Sequence, residues 1–212
     1  MHVLFVCTGN VCRSVIAERL TRAVAAAHGL DDLTAESAGT RALVGFGVEP
    51  LAAQTITGLG ADAGDFSARK LKPEMISRAD LILAMTEQIR DHIIQSDPAA
   101  RPRTFTLLEA YRVAKVAGAR TIAAIDSARN DLALVGRENI ADPVGLSSEK
   151  YCAVGDRIAE TLVPLLLALH ADRGGRAGSD VHGRPRLVLL PGGRVETTPP
   201  PAVEHPRIGR HA

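Results

Sequence analysis

Apolar residues along this chain fall into two patterns. Short unbroken runs, Val3-Leu4-Phe5-Val6 and Leu81-Ile82-Leu83-Ala84-Met85, are what strands buried on both faces look like. The spaced set Ile16, Leu20, Ala23, Val24 and Ala27 keeps to one helical face, and Gly29 is a natural stop after it. Read this way, the chain predicts strands at residues 1–6, 34–37, 80–85 and 103–107. Helices are expected at 14–28, 49–59 (with Pro50 in the first turn), 73–78, 86–96 and 148–169. The last carries the stripe Val154, Ile158, Leu162, Leu165 and Leu169, with Pro164 as a site for a kink. Strands alternating with helices argue for an α/β fold with a parallel sheet covered on both faces.

Two segments break the rhythm. Residues 112–139 are Ala- and Arg-rich and show no strong period, so an irregular or partly helical insertion is expected there. Beyond His170 the chain turns rich in Gly, Pro and Arg and ends near a Pro199-Pro200-Pro201 run. The expectation is one domain over 1–170, with the insertion at about 112–139, and a disordered tail over 171–212 whose Leu187–Leu190 run can at most dock weakly.

Composition narrows the class. A hydrophobic share of 46% supports a sizeable core, and with 3% aromatics that core must be aliphatic. A net charge of +1 argues against a nucleic-acid partner. No apolar run approaches the ~20 residues of a membrane span, and residues 3–6 are too short for a secretory signal. Three cysteines, Cys7, Cys12 and Cys152, form no disulfide framework and suit a reducing cytoplasm. Oligomeric state is not readable.

The stretch that carries chemistry is Cys7-Thr8-Gly9-Asn10-Val11-Cys12-Arg13-Ser14, between a strand and a helix start. Unpaired N–H groups at a helix N-terminus favour an anion, and a loop bending at Gly9 and Asn10 can aim further N–H groups inward. Such a nest stabilises a thiolate at Cys7 and also holds a phosphate. Arg13 offers a planar fork for two phosphate oxygens. Ser14 can donate a hydrogen bond to the Cys7 sulfur. A leaving group needs a proton, and Asp142, stiffened by Pro143 just before the last helix, is the candidate acid. Asp97-Pro98 reads as an ordinary turn. Failing Asp142, the acid would be sought among Asp126, Asp131 and Glu138.

These residues, with Ala17-Glu18, resemble the signature of the low-molecular-weight protein tyrosine phosphatases. Ser37-Ala38-Gly39-Thr40, Ser67 with Leu71, Ala79–Met85 and Asp142-Pro143 follow in order. The resemblance covers about residues 2–108 and 139–169. It implies a four-stranded parallel sheet flanked by helices, and it implies a mechanism. Cys7 attacks phosphorus, Asp142 protonates the leaving group, and water then hydrolyses a phosphocysteine. Residues 8–14 (Thr8, Gly9, Asn10, Val11, Cys12, Arg13, Ser14) bind phosphate, and Ser37 and Ser67 brace the loop or simply cap turns. The implied partner is a phosphorylated protein, with no metal and no cofactor. Cys12 is either a redox partner of Cys7 or a small packing residue; Cys152 is expected in the core and His92 on the surface or in packing.

The pattern also departs from the family. Val15 replaces a usual Pro, Leu43 a frequent aromatic wall, and Val144-Gly145 the aromatics that often follow Asp-Pro. Phosphotyrosine remains the expected substrate. A protein arginine phosphatase is the alternative, and apolar Val11 leans away from it. An arsenate reductase would need cysteines between Cys12 and Cys152, and a non-catalytic phosphoprotein-binding module would not need nucleophile, clamp and acid together.

Overall fold

The computed structural model describes residues 1–130 and 139–171, and the backbone of Arg186–Leu189 and Val195–Thr198. Four strands, β1 (His2–Cys7), β2 (Thr34–Gly39), β3 (Leu81–Ala84) and β4 (Thr104–Thr106), form a parallel sheet in the order β2-β1-β3-β4. The unbroken apolar run in β1 has a direct cause. Val3 and Phe5 point into one hydrophobic layer while Leu4 and Val6 point into the other, and all four are fully buried. The larger layer lies beneath α1 (Arg13–His28), α2 (Pro50–Gly58) and, nearer the far end of the chain, α5 (Leu107–Ala117), α6 (Ile122–Ala128) and α7 (Ser148–His170). The smaller lies beneath α3 (Pro73–Arg78) and α4 (Glu87–Ser96).

Strand order decides where a site can form. From β1 the chain crosses to β2 on one side and later to β3 on the other. Connections that leave in opposite directions open a crevice at the carboxyl end of the strand between them. That end is Cys7.

Helix punctuation follows the sequence signals. Gly29 ends α1 in the left-handed conformation, with φ 64°. Pro50 stands in the first turn of α2, and the Thr86 side chain caps α4. α7 runs through Pro164 to His170 as one helix.

Three expectations need correction. Residues 112–139 are partly helical, since α5 and α6 occupy most of 112–130 and 131–138 lies outside the described residues; the correction there concerns Leu107, expected to end a strand and found to open α5. The buried stripe of α5 begins at Leu107 and continues through Ala110, Val113 and Ala114. Assigning Leu107 to a strand cut that stripe and hid its period. Thr106 and Glu109 form a reciprocal capping box at its start. The helices are fastened to the sheet edge by buried Arg129, whose guanidinium lies 4.2 Å from the Phe105 ring centroid and bonds Glu109 Oε1 at 2.7 Å.

Second, Cys152 is exposed, not core. It sits next to buried Tyr151, about 100° around α7 from the stripe that faces the sheet. Third, the described part of the tail is an antiparallel pair of strands, β5 (Arg186–Leu189) and β6 (Val195–Thr198). Leu187-Val188-Leu189 and Thr197-Thr198 are strand-favouring runs that the overall composition of the tail masked. The rest of the tail lies outside the described residues. No described helix is long and apolar enough to cross a membrane.

Candidate active site

The segment from Cys7 to Arg13 leaves β1 and enters α1 in one tight loop. Asn10, buried, adopts φ 55°, the left-handed region that Asn tolerates better than most residues. No side chain caps α1 and no acidic residue stands in its first turn, so its leading N–H groups are left to an anion in the loop.

The direction of each hydrogen bond in the loop follows from donor and acceptor logic. The Arg69 backbone N–H donates to Asn10 Oδ1 at 2.8 Å, which fixes the amide. The Asn10 Nδ2 group therefore donates to Ser14 Oγ (3.0 Å) and Ser37 Oγ (2.8 Å). The Ser37 hydroxyl in turn donates to the buried Glu18 carboxylate. Ser14 is left free to donate to Cys7 Sγ, 3.0 Å away. The Asn10 backbone N–H adds a second donor to the same sulfur at 3.2 Å. Cys7 Sγ thus accepts two hydrogen bonds from a network anchored on β2 and α1.

Arg13, also buried, reaches across the crevice. One guanidinium nitrogen bonds Asp142 Oδ2 at 2.6 Å and the other the Ile140 carbonyl at 3.2 Å. Asp142 is half exposed and aimed at the loop by this bond. Its segment is held in turn by Ile140 N–H to Met85 O (2.8 Å) and by Asn139 on the N-terminus of α4 (2.7 Å).

Cys12 is buried beside Cys7. Burial pushes its thiol up to about 12, and the neighbouring Cys7 pushes the same way, so it is a neutral thiol at ordinary pH. Tyr151, from α7, has its phenol pushed up by burial and by a hydrogen bond to Glu49. Glu49 in turn holds the Val11 carbonyl through its backbone N–H, tying α7 to the loop.

The sequence-derived residues Cys7, Asn10, Cys12, Arg13, Ser14, Ser37 and Asp142 come together in one connected cluster, with Thr8, Gly9 and Val11 as the loop between them. Ser67 does not join it. It is exposed, and the hydrogen bond expected of that segment comes from the Arg69 backbone. His92 is on the surface.

Two features escaped sequence reading. One is Asn10 as the hub of the network, legible only once its side chain is placed. The other is the apolar rim. Of the six exposed large hydrophobics among the described residues, Leu43, Val44, Phe46, Val144 and Leu146 all lie on two loops beside the site. The first loop is bound to it by Leu43 N–H to Gly9 O, and the second through Asp142. Phe46 supplies a ring beside Leu43.

Gly39 explains why the loop can sit so close to β2. A Cβ there would stand 2.5 Å from Thr8 O and 3.0 Å from Asn10 N, both backbone atoms. Gly39→Ala is expected to cost about 1–3 kcal/mol by overpacking and to displace the loop. A lowered urea midpoint together with lost hydrolysis of an aryl phosphate is the expected result; a wild-type midpoint and rate would contradict it.

The sequence model of the family described as low molecular weight phosphotyrosine protein phosphatase matches residues 2–124. A low molecular weight protein-tyrosine-phosphatase of Acinetobacter johnsonii is 36% identical over 50% of this chain and 71% of its own length. A protein-arginine-phosphatase of Bacillus subtilis is 31% identical over 82% of this chain and 99% of its own. The solved arginine phosphatase of Geobacillus stearothermophilus superposes with a TM-score of 0.64 at 30% identity, covering 84% of this chain and 99% of that one.

Proposed function

This chain belongs to the low molecular weight phosphotyrosine protein phosphatase family of cysteine-dependent phosphatases, and from that premise we propose that it hydrolyses phosphotyrosine in proteins through a phosphocysteine intermediate. The observation that carries the reading is the bonded chain Ser14–Cys7 and Arg13–Asp142 across one loop. Cys7 Sγ attacks phosphorus and the P–O bond to the substrate breaks, with Arg13 and the loop N–H groups of residues 8–14 neutralising the oxygens. Asp142 gives its proton to the leaving oxygen and then takes one from the attacking water. Ser14 steadies the departing thiolate, and Ser37 steadies Asn10.

The rim of Leu43, Phe46, Val144 and Leu146 favours a flat apolar group beside the phosphate, and so tyrosine. A second reading, phosphoarginine, draws on two observations. Two curated relatives matched over 99% and 93% of their own length are named protein-arginine-phosphatases. An open hollow beside Arg13 is also lined by two carboxylates, Glu87 and Asp142, that suit a guanidinium. Phosphotyrosine and phosphoarginine peptides assayed on one preparation decide between them. Faster turnover of phosphotyrosine is expected, and a clear preference for phosphoarginine would reverse the assignment.

The same reading assigns residues 1–170 as the phosphatase domain, with the cytoplasm as its compartment. It also makes Cys12 the partner that captures an oxidised Cys7 as a disulfide. Peptide mapping after peroxide tests that pairing, and an over-oxidised Cys7 beside untouched Cys12 would remove it.

A further inference from the structure

A cationic hollow of about 570 Å³ lies along the outer edge of β2, lined by Arg69, Lys70, Lys72, Glu74, Met75 and Arg78. Four of its six lining residues are cations and one is a carboxylate, in a chain whose net charge is only +1. Arg78 is already held by Glu36, at 2.9 Å from its Nε, and Arg69 Nε donates to the Ser37 carbonyl at 2.9 Å. Lys70 and Lys72 are exposed and have no ion-pair partner among the described residues. Two free lysines side by side in a concave surface repel each other, so the hollow is poised for an anion from outside.

Its position relates it to the site. Lys70 pairs with Gly39 as a parallel bridge, and Gly39 pairs with Cys7 in the sheet. Lys70 therefore stands two strand spacings, about 10 Å, from Cys7. An extended peptide advances about 3.3 Å per residue, so 10 Å is about three residues; Lys72, two residues on at right angles to that spacing, lies about 12 Å away, or about four residues.

We infer that this hollow binds an acidic segment of the phosphoprotein substrate, with Asp or Glu about two to five residues from the phosphorylated side chain. The inference rests on the phosphatase reading above and adds the sequence context of its substrate. Charge complementarity carries it. The apolar rim receives the residue that bears the phosphate, while Lys70 and Lys72 receive the carboxylates beside it. Neither lysine contacts the reacting atoms, so their contribution belongs in KM and in salt dependence, not in kcat.

The test uses the full chain, a small aryl phosphate, and phosphopeptides with acidic, neutral or basic flanks. At low salt the wild type should show kcat/KM about tenfold higher for acidic than for neutral flanks, the scale of two exposed ion pairs. The preference should shrink as salt rises. Lys70→Glu/Lys72→Glu should invert it through KM while leaving aryl phosphate hydrolysis unchanged. Equal rates on all flanks in the wild type, or an acidic preference that survives the reversal, would overturn the inference. So would inhibition by inorganic polyphosphate that the reversal relieves without any peptide preference, since the hollow would then serve free anions. If the reversal also damages aryl phosphate hydrolysis, Lys70→Gln/Lys72→Gln decides: retained preference overturns, lost preference supports. A wild type that hydrolyses neither peptides nor aryl phosphate would instead sink the phosphatase reading itself.

Discussion

Cys7→Ser is expected to lower hydrolysis of every phosphorylated substrate by more than about 10⁴-fold while leaving the protein folded. The argument starts from the hydrogen bonds at the sulfur. Cys7 Sγ accepts from Ser14 Oγ at 3.0 Å and from the Asn10 N–H at 3.2 Å. Both donors favour an anionic acceptor, and sulfur takes up negative charge far more readily than a serine oxygen, which needs a base to attack. No described carboxylate or imidazole is bonded to Cys7 to act as that base. Asp142 is committed to Arg13, and Glu18 reaches the loop only through Ser37. Serine is smaller than cysteine and keeps one donor, so the burial around Cys7 should survive. The measurement is a steady-state assay on an aryl phosphate beside a urea titration. Substantial residual turnover in a sample with a wild-type midpoint would overturn the covalent route.

Much of this arrangement is legible in the sequence. The β1 run, the one-sided spacing of α1 and the Gly29 stop each have a single local cause, and each element lies within a residue or two of where the sequence put it. The motif from Cys7 to Ser14 was readable because a strand end, left-handed-tolerant residues and a helix start occur together. What escaped was set by contacts between distant segments. Asn10 bonds Ser14, Ser37 and Arg69, and the last two lie 27 and 59 residues away in sequence. Sequence spacing holds no trace of such a hub. Ser67 was misplaced for the same reason, since a backbone N–H two residues on does its work. Leu107 shows a different failure: β-type and α-type patterns overlap at one residue, and the capping box settles the boundary in favour of the helix. Cys152 failed because a helix face must be assigned to within one residue.

Asp142→Asn is expected to slow phosphotyrosine hydrolysis by about 10²- to 10⁴-fold, the range of general acid catalysis, and to slow an activated aryl phosphate far less. Asp142 is half exposed, with Oδ2 on Arg13 at 2.6 Å and Oδ1 accepting from the Val144 N–H at 3.3 Å. Asparagine can keep one of these contacts through its carbonyl oxygen but carries no proton that it can give up. A phenolate of high basicity then leaves unprotonated, which raises the barrier, while a leaving group of low basicity scarcely needs the proton. The neutral amide also removes a negative charge beside the incoming phosphate and releases Arg13 from its partner. Ground-state affinity should therefore hold or tighten, and the loss should appear in kcat and not in KM. That split separates an acid from a brace. If Asp142 served only to hold Arg13, its removal would loosen phosphate binding, raise KM, and slow both substrates equally. Equal losses would move the search for the acid to Asp126, whose Oδ1 lies 3.4 Å from Arg129, and to Asp131 and Glu138, which lie at or within the stretch outside the described residues. The Arg129 pairing already ties Asp126 to the far edge of the sheet, beyond β4, so unequal losses with phosphate affinity retained are the outcome this geometry favours.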